Sequence, residues 1–180
     1  RRTGWSVANG QIDLAIIGGQ LPGDLENLLQ VIPYATDELA LVLPSKHPLS
    51  NKKELLKEDL YKLNFVTLDS QSTTRKVVDK LLKDSGLDIQ RLKIEMELNS
   101  LEAIKNAVQS GLGASFLPVV SIERELAAGT IHKAFIADLE VKRELKLITN
   151  PSRYTSRASE VFKKNILPQF ASFESPLREP

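Results

Sequence analysis

The stretch 63-LNFVTLDSQSTTRKVVDKLL-82 decides the fold class that the sequence predicts. Residues 63–68 form an apolar run of strand length, and apolar residues recur at helical spacing from Val77 onwards. Five small polar residues, 70-SQSTT-74, and then Arg75 lie between the strand and the helix. A strand that leads directly into a helix is the unit from which α/β proteins are built, so the sequence predicts that class.

Strands and helices alternate on both sides of this unit. The nearly continuous apolar run in 11-QIDLAIIGG-19 predicts a strand buried on both faces, which is typical of a parallel sheet. A strand at 92–98 leads into a helix over 99–111, in which Asn99 and Glu102 have the spacing of a capping box. The chain is therefore predicted to form largely parallel sheets.

The remaining elements follow from the same periodicities. Turn residues separate two predicted strands, at 28–34 and 37–50. A first helix is predicted to end at Asn9-Gly10, so the chain is expected to begin inside a larger protein. Residues 171–180 are predicted to be a frayed tail. Further strands are predicted at 112–118, 130–136 and 143–149, and further helices over 51–61, 119–126 and 156–170.

Composition excludes several classes of function. Of the 180 residues, 42% are hydrophobic, which is enough for a core in one or two small domains. No stretch approaches the roughly 18 to 20 consecutive apolar residues of a membrane span. The net charge is +1, so no general affinity for nucleic acid is expected. The absence of cysteine excludes disulfides, thiolate zinc sites and cysteine nucleophiles.

The polar run before the predicted helix has the chemistry of an anion site. A helix N-terminus presents unpaired N–H groups and a partial positive charge. The hydroxyls of Ser72, Thr73 and Thr74 would add donors, and Arg75 can donate two hydrogen bonds to a carboxylate or phosphate. The alternative is that one of these residues only caps the helix, which contributes about 1 kcal/mol. A cap accounts for one hydroxyl and not for a run of them.

Two further turns follow predicted strands and offer similar groups. Asn99 and Ser100 lie where a strand becomes a helix, although capping alone accounts for Asn99. Gly18 and Gly19 follow a predicted buried strand and allow a ligand to approach the backbone, or they only form a turn. Taken together, three strand-end turns offer donors, and none offers a catalytic group.

The sequence gives little support to an enzyme. His47 lies in a loop-like segment and His132 in an alternating strand, so both are predicted to be structural or solvated. The segment 111-GLGAS-115 does not have the residue order of a nucleophile elbow. No His and acidic residues stand at metal-ligand spacing. A site with donors and no base is expected to bind its ligand and not to transform it.

Four segments resemble the effector-binding region of LysR-type transcriptional regulators. They are 5-WSVANGQIDLAIIGG-19, 38-ELALVLPSKHPLS-50, 68-LDSQSTTRKVVDKLL-82 and 95-EMELNSLEAIKNAVQSGLGASFLP-118. The resemblance extends from residue 1 to about residue 170. The first and last segments are most similar to the CbbR/RbcR branch, which regulates RuBisCO and other carbon-fixation genes in cyanobacteria and plastids.

This resemblance implies a two-lobed fold of the type II periplasmic-binding-protein class, with a cleft between the lobes. Lobe I is expected at residues 1–36 and 148–180, incomplete at its N-terminus, and lobe II at residues 37–147. The strands that cross between the lobes are expected at 37–44 and 143–149. The winged helix-turn-helix of the family is absent, so DNA binding is expected only through that missing N-terminal domain.

The resemblance also implies which residues bind the effector. The expected contacts come from two helix starts in lobe II and from a facing loop in lobe I: Ser72, Thr73, Thr74 and Arg75, then Asn99 and Ser100, and finally Gly18 and Gly19. No catalytic residue, metal or tightly bound cofactor is expected. The expected ligand is a small anionic metabolite such as 2-phosphoglycolate, ribulose 1,5-bisphosphate, 2-oxoglutarate or NADPH. The family further implies a homodimer or homotetramer in the cytoplasm or the plastid stroma, with no membrane partner.

Two other functions remain open from the residues. A periplasmic solute-binding protein for a small anion would share the fold, but its gene would encode a signal peptide in place of a helix-turn-helix. An enzyme on a related two-lobed scaffold would need a catalytic base beside its ligand.

Overall fold

The computed structural model describes residues 2–166. In chain order the helices and strands are α1 (Arg2–Ala8), β1 (Leu14–Ile17), α2 (Gly23–Glu26), β2 (Gln30–Pro44), β3 (Asn64–Leu68), α3 (Thr73–Asp84), β4 (Lys93–Leu98), α4 (Leu101–Gln109), β5 (Ser115–Pro118), α5 (Glu123–Ala127), β6 (Ile131–Ala134), β7 (Lys142–Thr149) and α6 (Arg157–Val161). Short 3-10 helices occupy Pro48–Asn51, Lys57–Lys62, Ile89–Arg91 and Val119–Ser121, and the π-helical segment Phe162–Ile166 follows α6.

The described residues form two compact units. The first unit contains the two ends of the chain, up to Asp37 and from Arg143 onwards, and the second unit is Glu38–Lys142. The chain passes from one unit to the other inside β2 and returns inside β7.

The first unit is built on an antiparallel pair of strands. Leu14 of β1 lies opposite Thr149 of β7, and Ile17 lies opposite Lys146. The core of this unit consists of buried residues from α1, from α2 and the turn after it, and from β7: Val7, Ala8, Leu25, Leu29 and Ile148.

Asp13 connects the start of β1 to the start of α6. Its carboxylate accepts hydrogen bonds from the hydroxyls of Ser156 and Ser159, the second at 2.7 Å, and from the Ser156 N–H at 3.3 Å. These donors, first the Ser156 hydroxyl, hold the pKa of Asp13 below its ordinary value. Asp13 therefore ties α6 to the strand pair of the first unit.

The second unit contains both parallel and antiparallel strand pairs. Strands β3 and β4 are parallel, with Asn64 opposite Lys93 and Leu68 opposite Leu98. The end of β2 is antiparallel to both β5 and β6. Strand β3 adjoins β5 because the Val66 N–H donates to the Ala114 carbonyl at 2.9 Å.

Two hydrophobic clusters stabilise the second unit. The larger cluster contains the Phe65 and Leu41 side chains together with Val78 and Leu82 of α3. The other contains Val66 together with residues of α4 and of the segment before α5: Ile104, Ala107, Val108 and Ile122. Helices α3 and α4 thus follow the ends of adjacent strands and are fixed in place by separate clusters.

The structure confirms most of the predicted elements. Strands predicted at 63–68, 92–98, 112–118, 130–136 and 143–149 appear as β3 to β7, and the helices predicted after Thr74 and Asn99 appear as α3 and α4. In place of the helix predicted over 51–61 there are two 3-10 turns, Pro48–Asn51 and Lys57–Lys62, and the helix predicted over 119–126 appears as the 3-10 turn Val119–Ser121 followed by α5. The end of the helix predicted over 156–170 and the tail 171–180 lie outside the described residues.

The prediction of largely parallel sheets was wrong. Among the named strands of the described region, only β3 and β4 form a parallel ladder, because a helix crossover joins them directly. Strands β2 and β7 instead carry the chain between the units, and both make antiparallel ladders. Strand β1 is also not buried on both faces, since the Ile16 side chain is 41% exposed.

The prediction of two separate strands at 28–34 and 37–50 was also wrong, because β2 runs without interruption through Asp37. The Asp37 carboxylate is buried and accepts hydrogen bonds from Arg143 Nε at 2.8 Å and Nη2 at 2.6 Å. A polar residue that resembles a turn signal is therefore tolerated inside the strand by its ion pair.

Asp59 stabilises the segment before β3. Its side chain is 4% exposed and accepts from Lys62 Nζ at 2.7 Å, Lys52 Nζ at 3.2 Å and the Leu56 N–H at 3.1 Å. These donors, first Lys62, lower the pKa of Asp59 from 3.8 to about 2. A carboxyl group with a lowered folded-state pKa contributes stability that is present above pH 3.8 and is lost as the pH falls through about 2.

We expect Asp59→Ala to lower the free energy of unfolding at pH 7 by about 2 kcal/mol, because it leaves a buried site without its charged acceptor. Denaturant unfolding measured from pH 7 to pH 2 should show the difference from wild type shrinking below pH 4. Asp84→Ala, at an exposed position, is the control and should change stability by less than about 0.5 kcal/mol. A constant difference at all pH values would contradict the assigned role of the carboxylate.

Candidate functional site

The polar segments after β3 and β4 lie at one edge of the second unit. Leu68 and Leu98 are opposite each other at the ends of these parallel strands. The Asp69 N–H donates to the Leu98 carbonyl at 3.0 Å, so the alignment continues past the strand ends. The structure therefore brings the segment 70–75 close to Asn99 and Ser100.

The first turn of α3 has no side-chain cap. Ser72 is the N-cap residue, and its side chain makes no capping hydrogen bond. The first turn contains no acidic residue, Thr73 is exposed, and Ser72 and Thr74 are partly buried. Capping therefore does not account for the Ser72 hydroxyl, and the partial positive charge of the helix N-terminus is not offset within the turn.

Arg75 is held by groups of its own unit. Its Nε lies 2.8 and 2.9 Å from the two carboxylate oxygens of Asp79. Its Nη1 donates to the Thr67 hydroxyl, to the Leu68 carbonyl at 3.4 Å and to Glu97 at 3.5 Å. The side chain is only 14% exposed. The sequence predicts that Arg75 donates a pair of hydrogen bonds to a ligand. In the structure the Asp79 carboxylate accepts the hydrogen bond from Arg75 Nε.

A small cavity lies beside this arginine, between α3 and the strands. Its lining includes Phe65, Val78 and Phe116, and Thr67 and Asp79 supply polar groups. The cavity volume is about 30 Å³, which is enough for roughly one water molecule. A metabolite is larger than this volume, so the cavity alone does not enclose a ligand of that size.

Ser100, and not Asn99, caps α4. The Ser100 hydroxyl accepts from the Ala103 N–H at 3.5 Å, and the backbone of Ser100 is extended, as is usual for an N-cap residue. The predicted capping box of Asn99 and Glu102 was therefore wrong, and Glu102 pairs with Lys105 at 2.7 Å. Asn99 precedes the cap and is exposed.

This assignment predicts unequal effects of two neighbouring substitutions. We expect Ser100→Ala to lower the free energy of unfolding by about 1 kcal/mol, because it leaves a helix N–H without its acceptor. Asn99→Ala should lower it by less than about 0.5 kcal/mol. Urea denaturation of both variants provides the test, and a larger loss for Asn99→Ala would restore the original capping prediction.

Gly18 and Gly19 follow β1 in the first unit. A Cβ atom at Gly18 would lie 3.1 Å from Cδ and Nε of Arg143, the residue that pairs with Asp37. Gly18 therefore gives the Arg143 side chain room to pack against the backbone. No local sequence pattern indicates the pairing of Arg143 with Asp37, because the two residues are 106 positions apart.

The two histidines lie in elements other than β3, β4, α3 and α4, which form the candidate site. His47 Nδ1 accepts from the Leu49 N–H at 3.2 Å at the start of a 3-10 helix, and His132 lies in β6. Within residues 2–166, no cluster of three or more His, Cys, Asp or Glu side chains has the geometry to hold a metal ion. None of the helices in that range has the length and apolarity needed to cross a membrane.

Comparison with known proteins shows extensive similarity to one family. The sequence model of the LysR substrate binding domain matches residues 4–171. The probable RuBisCO transcriptional regulator of Trichormus variabilis is 60% identical over 172 residues, which cover 96% of this chain and 51% of that protein. The corresponding protein of Synechocystis sp. is 58% identical over 177 residues, which cover 98% of this chain and 51% of that protein. The chain thus spans about half the length of these curated relatives.

Solved structures show the same fold. The regulatory domain of Synechocystis CcmR in complex with 2-PG has a TM-score of 0.78 and 24% identity, with 94% of this chain and 78% of that chain covered. The effector binding domain of QuiR in complex with shikimate has a TM-score of 0.75 and 23% identity, with 93% and 76% covered. The similarity to these regulatory domains confirms the predicted fold, which is of the type II periplasmic-binding-protein class. The chain belongs to the LysR substrate binding domain family.

Proposed function

We propose that this chain is the effector-sensing and oligomerisation domain of a regulator of CO2-fixation genes. The observation that carries this proposal is the 58–60% identity to probable RuBisCO transcriptional regulators over 96–98% of the chain. DNA binding would belong to a separate helix-turn-helix domain. The relatives are transcriptional regulators, which are not enzymes, and this favours a regulator over a periplasmic solute-binding protein.

The proposed effector is a small anionic metabolite. The exposed edge after β3 and β4 provides hydroxyl, amide and backbone N–H donors from Ser72, Thr73, Thr74, Asn99 and Ser100, and the first turn of α3 carries no acidic side chain. Oriented N–H groups at a helix start favour an anionic group. The resemblance to the family also places Gly18, Gly19 and Arg75 at the proposed effector site. The two compact units would be the two lobes of the regulatory domain.

The effector class includes 2-phosphoglycolate, ribulose 1,5-bisphosphate, 2-oxoglutarate and NADPH. We place 2-phosphoglycolate first because the structurally similar CcmR domain is in complex with 2-PG. The protein would act as a homodimer or homotetramer in the cytoplasm or the plastid stroma. A ligand can change the activity of such a regulator only through different affinities for two of its states.

Calorimetric titration of the chain with these four anions tests the proposal. We expect saturable binding of one anion, with affinity lowered about fivefold or more in Thr73→Val and in Asn99→Ala, because each removes a donor worth about 1 kcal/mol. Ser110→Ala, at the opposite end of α4, is the matched control and should bind as wild type does. Equal affinity in all three variants would place the ligand elsewhere, and no binding of any anion would reject this effector class.

A further inference from the structure

Arg75 joins three elements at the edge where the effector is proposed to bind. Along α3 it pairs with Asp79, one helical turn further on, at 2.8 Å. At the end of β3 its Nη1 contacts the Thr67 hydroxyl and the Leu68 carbonyl, and in β4 it contacts Glu97. The guanidinium therefore cross-links the first turn of α3 to the ends of two parallel strands.

The electrostatic surroundings of Arg75 are not those of an anion receptor. The Asp79 carboxylate lies against Nε, and the Glu97 carboxylate lies 3.5 Å from Nη1. An incoming phosphate or carboxylate would have to compete with two negative charges that are already in place. Because Arg75 is 14% exposed and Asp79 25% exposed, competition with Asp79 would take place largely out of water, where charge repulsion is strong, whereas Glu97 is 43% exposed and its charge is screened more.

We propose that Arg75 is a positioning residue of the effector site and that Asp79 holds it in that role. This inference rests on the proposed function for the identity of the ligand. The cross-link fixes where the first turn of α3 stands relative to β3 and β4, and hence where Thr73 and Thr74 present their donors. The ligand is bound by those donors, while the guanidinium stays with Asp79.

Asp79→Asn separates this role from direct contact. If Arg75 bound the ligand, removing the competing Asp79 charge would free the guanidinium and raise affinity. If Arg75 positions the helix, Asp79→Asn loosens the cross-link, and we expect it to weaken 2-phosphoglycolate binding about fivefold or more, as Arg75→Ala does. Asp84→Asn, on the last turn of the same helix, removes the same charge and should leave affinity unchanged. Tighter binding by Asp79→Asn would overturn the proposal.

Two further measurements separate positioning from simple attraction. Arg75→Lys keeps the charge but lacks the planar guanidinium that places Nε against Asp79 and Nη1 against Thr67, so its affinity should stay near that of Arg75→Ala. The dependence of the dissociation constant on salt should have the same slope in wild type and Arg75→Ala, because no ion pair with the ligand is lost. Full rescue by lysine, or a flatter slope in Arg75→Ala, would assign Arg75 to direct contact.

A measurement without ligand tests the cross-link itself. The Lys76 N–H donates to the Ser72 carbonyl at 3.1 Å and reports on the first turn of α3. Its hydrogen exchange should be faster by about tenfold in both Asp79→Asn and Arg75→Ala and unchanged in Asp84→Asn. Unchanged exchange in the first two variants would overturn the proposal even if no anion binds. Faster exchange together with absent binding would instead reject the proposed effector and leave the cross-link standing.

Discussion

Replacement of Lys105 by methionine is expected to lower the free energy of unfolding by about 3 kcal/mol at pH 7, one of the two largest losses that the structure predicts for a single substitution. The Lys105 side chain is 9% exposed, and its Nζ lies 2.7 Å from Glu102 and 2.9 Å from Glu125. Nζ also donates to the Ser121 carbonyl at 3.2 Å. The lysine thus connects α4 to the segment that carries α5.

The reason for the large effect is the partner that remains after the substitution. Glu125 Oε2 is buried and is the one such side-chain atom without a hydrogen-bond partner within the described residues, so this carboxylate depends on Lys105 for its stabilisation. Methionine fills a similar volume but leaves the Glu125 charge uncompensated. Glu102 is 75% exposed and is stabilised by water, so Glu102→Gln is the control, with an expected loss below about 0.5 kcal/mol.

The pH dependence follows from the two ends of the pair. The carboxylates of Glu102 and then Glu125 raise the pKa of Lys105 above 10.5, so this contribution is complete below pH 10.5 and is lost at higher pH. Lys105 lowers the pKa of Glu125 below 4.5, so that contribution is complete above pH 4.5 and is lost as the pH falls. The deficit of Lys105→Met should therefore be largest between these two pH values.

Denaturant unfolding of Lys105→Met and of the double variant Lys105→Met with Glu125→Met gives the decisive comparison. The double variant removes the stranded charge, so we expect it to recover much of the stability that the single variant loses. A double variant that recovers none of the stability lost in Lys105→Met would show that the lost ion pair itself, and not the uncompensated carboxylate, determines the effect.

The order of strands and helices was predictable because it depends on local patterns. Strands β3 and β4 are apolar runs that end in polar turns, and α3 and α4 carry apolar residues at helical spacing. The continuity of β2 was not predictable in this way. Asp37 resembles a turn signal unless its partner Arg143 is known, and that partner is 106 residues away. A contact over such a distance leaves no trace in a local pattern.

In the candidate site, too, some features were predictable from local patterns and others were not. Parallel strands end at a common edge, so the grouping of residues 72–75 with residues 99–100 could be inferred from their positions after two strands. The choice between Asn99 and Ser100 as the cap could not, since both residue types are good caps. The pairing of Arg75 with Asp79 had a readable signal, because opposite charges four positions apart on a helix are neighbours.

Gly113→Ala is the second substitution with a large expected effect, and it acts on the strand that carries the candidate site. A Cβ atom at Gly113 would lie 2.6 Å from the Asn64 carbonyl oxygen and 3.1 Å from its carbonyl carbon. That oxygen accepts the Ala114 N–H at 2.7 Å, where β3 adjoins β5. Because both contacts are with backbone, the strands have to separate, and we expect a loss of about 3 kcal/mol in the free energy of unfolding.

Two other glycines separate the effect of close approach from the effect of backbone conformation. Gly111 has φ +84 and no atom within 4 Å of an added Cβ. Gly111→Ala should therefore lower the free energy of unfolding only by the roughly 1–2 kcal/mol that the left-handed conformation costs a residue with a Cβ atom. Gly23 begins α2, has the same open space and lacks a positive φ. Gly23→Ala should therefore leave the free energy of unfolding unchanged or raise it by up to about 1 kcal/mol.

Chemical denaturation should therefore show the largest loss in the free energy of unfolding for Gly113→Ala, a smaller loss for Gly111→Ala and none for Gly23→Ala. The displaced strand in Gly113→Ala is β3, whose end leads into the polar segment before α3, so the folded fraction of this variant should also bind the effector more weakly. A loss at Gly113 no greater than that at Gly111 would mean that β3 and β5 can move apart at little cost. In that event β3 would not be a rigid support for the first turn of α3, and Arg75 could not fix the position of that turn through its contacts with β3.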